Sequence, residues 1–98
     1  MDKLVVVYSM VGCPFCTELK EMLDKEDLNY VDRDIDKYKD EYDIFVEITE
    51  NEYVPAFMTI LDPDSERPKT KLYAPDRDFD DLEEGLKIIK NFYIRFFA

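Results

Sequence analysis

Histidine and tryptophan are missing from the 98 residues of this chain, and cysteine occurs only twice. A structural zinc site takes about four ligands, usually Cys or His, so one chain does not hold a full set. Long apolar runs are also missing. The longest are a handful of residues, far short of the roughly 20 that span a bilayer. No basic start with an apolar stretch and small-residue cleavage site is seen, because Asp2 and Lys3 lead straight into a strand-like run. With no export signal, the expected location is cytoplasmic, where stable structural disulfides are rare. Positive charge is scarce: 13 Lys and Arg stand against 24 Asp and Glu, for a net charge of −11, and no basic cluster interrupts the acidity. Nucleic acid and anionic membranes are therefore not expected partners. The acidity serves solubility and favours partners with basic patches.

What is present is globular. Hydrophobic residues make up 46% of the chain, with seven Tyr and seven Phe, well outside the composition of a disordered chain. The length suits one modest core, so residues 1–98 read as a single domain, with no repeat, linker or low-complexity segment.

"KLVVVYS" (3–9) is a β-branched run that suits a buried strand. Leu19, Met22 and Leu23 then recur at helical spacing, with Pro14 in the first turn where a helix tolerates it best. "NYVDRDID" (29–36) reads as a second strand running into an acidic turn. Tyr38, Tyr42, Phe45 and Ile48 predict one face of a helix that stops near Asn51. "YVPAFMTIL" (53–61) and "KTKLYA" (69–74), separated by the turn-rich "DPDSERP", predict a hairpin. Leu82, Leu86, Ile89 and Tyr93 mark a last helix, with Asp78 and Asp80 as candidate N-caps and Asp80 with Glu83 as a capping-box variant. The closing "IRFF" reads as packed helix. The order β-α-β-α-β-β-α implies an α/β fold with a four-stranded mixed sheet and about three helices.

Both cysteines sit in "GCPFC" (12–16), directly after the first strand. A thiolate, not a thiol, is the nucleophile, and the unpaired N–H groups of a helix start stabilise it. In C-x-x-C sites this lowers the thiol pKa from about 8.5 into the range of roughly 3.5–7.5. Cys13 has that place and is the expected nucleophile; Cys16, one turn inside, is the expected resolving thiol. Pro14 supplies no N–H and fixes the turn, and Phe15 covers the bond from one side. A static disulfide would close too small a loop to stabilise much. Two inert buried cysteines are the remaining bland reading.

"VYSMVGCPFC" resembles the strand and active-site segment of glutaredoxins, in the thioredoxin superfamily, whose usual pattern is Y-S-K-x-x-C-P-Y-C. The resemblance extends over nearly the whole chain, through "YVDRDID", "YVP" in place of T-V-P, and "FDDLEEGLKII" in place of a G-G-x-D-D-L segment. It implies a thioredoxin-like fold and a glutathione-dependent disulfide oxidoreductase, with glutathione as cosubstrate and no metal required. It also implies that Pro55 is cis and that the Val54 backbone pairs with the substrate like an added strand. Asp80 and Asp81 match the acidic pair that receives the amino end of glutathione, although helix capping explains them as well. The cations that hold the glycine carboxylate are replaced: Met10, Val46 and Glu52 stand at their places.

The implied partners are glutathione and disulfide-containing proteins such as a ribonucleotide reductase, and a monomer is expected. Two other readings share the motif. One is a thioredoxin-like reductant recharged by a flavoprotein reductase; the other is a dimer sharing a [2Fe–2S] centre through Cys13 and glutathione. A redox-inert adaptor on the same scaffold is a third, disfavoured by the retention of both thiols.

Overall fold

The computed structural model describes residues 2–95, with side chains as far as Ile94; Phe96 and Phe97, half of the "IRFF" end, lie outside the described residues. Seven elements follow one another: β1 (Lys3–Ser9), α1 (Pro14–Lys25), β2 (Val31–Asp34), α2 (Lys39–Thr49), β3 (Ala56–Leu61), β4 (Lys69–Tyr73) and α3 (Leu82–Arg95). The four strands form one mixed sheet in the order β2-β1-β3-β4. β1 pairs in parallel with β2, Val6 opposite Val31, and antiparallel with β3, Val6 opposite Met58. The β3–β4 hairpin places Leu61 opposite Lys69. This is the fold anticipated from the sequence, element for element.

The alternation of a strand explains how β1 serves two cores at once. Val5 and Val7 face one side and pack with Leu19 and Leu23 of α1, Phe57, and Ile89 and Phe92 of α3. Val6 and Tyr8 face the other side and pack with Tyr42 and Phe45 of α2. All four β1 residues are at most 1% exposed. Tyr8 is therefore a core residue, with its ring 5.2 Å from that of Phe45 and its hydroxyl donating to Glu41 Oε1 at 2.9 Å.

Two helix faces differ from expectation. On α2 the buried stripe is Tyr42, Phe45 and Thr49, while Ile48 is 61% exposed. Counting steps of four, three and three lets the stripe drift around the helix, and Ile48 ends about 120° from Tyr42. Tyr38 is the residue that precedes the helix and is half-exposed. On α3, Phe92 joins the core beside Ile89, whereas Tyr93 lies partly buried with its hydroxyl donating to the Asn29 carbonyl at 2.5 Å. Ile94, at 65% exposure, faces outward.

The N-cap of α3 is Asp81, not Asp80 or Asp78. Its Oδ1 accepts from the Glu84 N–H at 2.8 Å, and its carbonyl accepts from Gly85. Because the helix begins at Leu82, the acid-to-acid spacing of three is met by Asp81 and Glu84. Asp78 instead accepts from the Ala74 N–H through Oδ2 at 2.8 Å and holds the loop before the helix.

Candidate active site

The site lies where β1, α1 and the turn before β3 meet. The chain leaves β1 at Ser9 and turns through Met10, Val11 and Gly12, which has φ +80°, a conformation that glycine adopts without strain. The Cys13 N–H closes this turn on the Met10 carbonyl at 3.2 Å. Cys13 is then the N-cap of α1, with extended backbone, and Pro14 is the first helical residue. Proline suits that place because its missing N–H has no helical partner there.

Cys13 and Cys16 are joined in a disulfide, with Cα atoms 5.3 Å apart. The Cys16 N–H points at Cys13 Sγ from 3.2 Å. One of the free donors of the helix start is thus aimed at Cys13 Sγ, a position in which an N–H stabilises a thiolate. Cys13 is 8% exposed and Cys16 only 1%. The outer sulfur is the accessible one.

Across from the disulfide stands the segment Tyr53–Pro55. The Val54–Pro55 peptide bond is cis, as the resemblance implies, and the Val54 carbonyl oxygen is 4.0 Å from Cys13 Sγ. Apart from that approach, the Val54 backbone has no hydrogen-bond partner among the described residues. Asn51 braces this segment in two directions: its Nδ2 donates to the Pro75 carbonyl at 2.6 Å, and its Oδ1 accepts from the Tyr53 N–H at 2.9 Å. In sequence, Asn51 showed only as a helix stop.

Beside the disulfide runs an open cleft of about 830 Å³, whose lining includes Phe15, Val54, Pro55, Asp80 and Asp81. These residues, drawn from three stretches of sequence, are thereby brought together. Phe15 is 62% exposed and stands in the cleft wall. Three acids that sequence reasoning did not place at the site, Glu18, Asp76 and Glu83, line the same cleft, and among the described residues no lysine or arginine does. Nothing local marks them, because their chain neighbours give no sign that residues 18, 76 and 83 converge. Of the positions where glutaredoxins carry cations, Met10 is 43% exposed near the disulfide, Val46 packs against the α2-side core, and Glu52 is exposed.

The family model described as Glutaredoxin matches residues 5–59, which include the whole of "GCPFC" and the cis proline. No curated protein matches the chain. Among solved structures, the thioredoxin-like protein BC3987 is similar in two forms. A point mutant of it is 20% identical over 89% of this chain and 99% of that one, with a TM-score of 0.59. The unmutated form is 19% identical over 87% and 97%, with a TM-score of 0.58. At that identity the likeness is one of fold, and it agrees with the sheet order and helix placement above.

Proposed function

The chain belongs to the glutaredoxin family, and on that premise we propose that it reduces disulfides through Cys13 and Cys16, with glutathione as the donor of electrons. The observation that carries the reading is the Cys13–Cys16 disulfide at the start of α1, its outer sulfur facing a Val54 backbone that the fold leaves unpaired.

In the reduced protein the Cys13 thiolate attacks one sulfur of a substrate disulfide; a Cys13–substrate bond forms and the other substrate sulfur leaves as thiolate. Cys16 then attacks Cys13 Sγ, the internal disulfide closes, and the second substrate thiol departs. The protein dithiol loses two electrons and two protons, and the substrate disulfide gains both. Two molecules of glutathione restore the dithiol and leave as glutathione disulfide. During attack an extended substrate hydrogen-bonds to the Val54 backbone, which holds its sulfur in line with Cys13.

A second reading keeps the same chemistry and changes the donor. Met10 stands where a cation would meet the glycine carboxylate of glutathione, and the cleft is lined by acids. Both features favour a reductant recharged by a flavoprotein reductase. The two readings separate in one experiment: turnover of a glutathione mixed disulfide with glutathione, against turnover with a flavoprotein dithiol reductase. Sustained turnover with glutathione supports the first reading. Turnover with the flavoprotein alone replaces it with the second.

A further inference from the structure

The cleft beside the disulfide has a chemistry that the oxidoreductase reading does not use. Five of its lining residues are acids: Glu18 on α1, Asp76, Asp80 and Asp81 before α3, and Glu83 in its first turn. Among the described residues none of the five is in an ion pair; the ion pairs lie elsewhere, at Lys20–Asp32, Arg33–Glu41, Lys39–Asp43, Arg77–Asp78 and Lys90–Glu26. Four of the five also have no hydrogen bond through the carboxylate, Asp81 being occupied by its own helix. Between the acids the wall is apolar, with Phe15 and Tyr53 62% and 65% exposed. At the disulfide end stands the unpaired Val54 backbone.

Like charges that converge without counter-ions are costly, and a cleft focuses their field on whatever enters it. A small ligand with two free carboxylates is repelled there. An extended polypeptide fits on every count. Its backbone finds the Val54 N–H and carbonyl, its apolar side chains find Phe15 and Tyr53, and Lys or Arg side chains find the carboxylates. The geometry points to a polypeptide disulfide with Lys or Arg within a few residues of the attacked cysteine as the substrate class of this site. This rests on the oxidoreductase reading above and names what that site selects. The electrons flow as in that step: two from the Cys13–Cys16 dithiol to the polypeptide disulfide, with a thiol reductant restoring the dithiol.

The test uses the full chain, reduced and freed of reductant, and three peptides closed by one internal disulfide. They differ only in the residues flanking the attacked cysteine, which are Lys, Gln or Glu. The expected order of second-order rates is Lys, Gln, Glu, with the Lys peptide about tenfold faster than the Glu peptide at low ionic strength. That ratio shrinks to within about twofold when added salt brings the screening length to about 3 Å. Two double variants separate the cleft from the net charge. Asp80→Asn with Glu83→Gln lowers the ratio. Asp64→Asn with Glu66→Gln, in the β3–β4 turn at the far end of the sheet, removes as much charge and keeps it.

Equal rates for the three peptides overturn the inference, as does an equal fall in the ratio for both double variants. A glutathione mixed disulfide reacting faster than the Lys peptide overturns it in favour of the tripeptide. In all these outcomes disulfide reduction itself stands. If the reduced protein gives electrons to none of these disulfides, nor to uncharged 2-hydroxyethyl disulfide, the oxidoreductase reading falls and this inference with it.

Discussion

Cys13 Sγ lies 4.0 Å from the backbone carbonyl oxygen of Val54, 41 positions further along the chain. The helix start that presents the sulfur and the turn that faces it come from separate elements, α1 and the approach to β3. Their meeting leaves Cys13 the more exposed of the two sulfurs, with Cys16 behind it.

Labelling of the reduced protein follows from that arrangement. With a limiting alkylating agent at neutral pH, Cys13 is modified before Cys16, because it is the more exposed sulfur and has a helix-start N–H directed at it. Peptide mapping of the product gives the order. Faster labelling of Cys16 would reverse the roles of the two thiols.

Asp80 and Asp81 separate by stability. Asp81→Ala removes the bond to the Glu84 N–H and costs about 1 kcal/mol. Asp80→Ala removes an exposed side chain without a cap bond and stays within about 0.5 kcal/mol of the parent. Urea denaturation measures both, read as a shift of midpoint at constant slope.

Tyr8 couples the core to alkaline pH. Burial first, and then its hydrogen bond to Glu41, hold the phenol above its ordinary value of 10.0. In the unfolded chain Tyr8 ionises near that ordinary value while the folded chain keeps the proton. The stability tied to that proton is present in full below about pH 10 and drains away as pH rises further. Tyr8→Phe loses about 1 kcal/mol at neutral pH, through the lost bond to Glu41. Its stability then declines less steeply above about pH 10. Tyr30, Tyr42 and Tyr93 are raised as well, so some decline remains. Denaturant midpoints across the alkaline range give the slopes; identical slopes would detach Tyr8 from the effect.

Much of this was readable in advance. The element order followed from period-two and helical spacing, and the redox centre from two cysteines at the end of a strand. The cis bond at Pro55 came from family resemblance, since local chemistry alone made Pro55 a strand-start residue. Asp81 was one residue from the expected cap, because "FDDLEE" offers two acids followed by Glu at the same spacing and packing of the helix decides between them. The acidic cleft was illegible. Glu18, Asp76 and Glu83 meet only through tertiary folding; alone, Glu18 and Asp76 read as solvated charges and Glu83 as a capping-box partner.

Met10 tests the donor. Met10→Lys puts a cation near the disulfide and lowers the KM for a glutathionylated substrate by about two- to fivefold, as one exposed charge pair allows. The gain fades with added salt. An unchanged KM at low salt would mean that glutathione carboxylates do not approach this position.

The division of labour between the two sulfurs is most directly read by trapping. Reduced Cys16→Ser, mixed with one equivalent of two identical peptides joined by a disulfide, is expected to hold one peptide in a mixed disulfide on Cys13 while the other leaves as thiol. Intact mass and peptide mapping identify it, and dithiothreitol releases it. Reduced Cys13→Ser under the same conditions is expected to form no adduct. A mixed disulfide on Cys16 that forms as fast as the one on Cys13, or the absence of an adduct in Cys16→Ser, would contradict attack by Cys13 and resolution by Cys16.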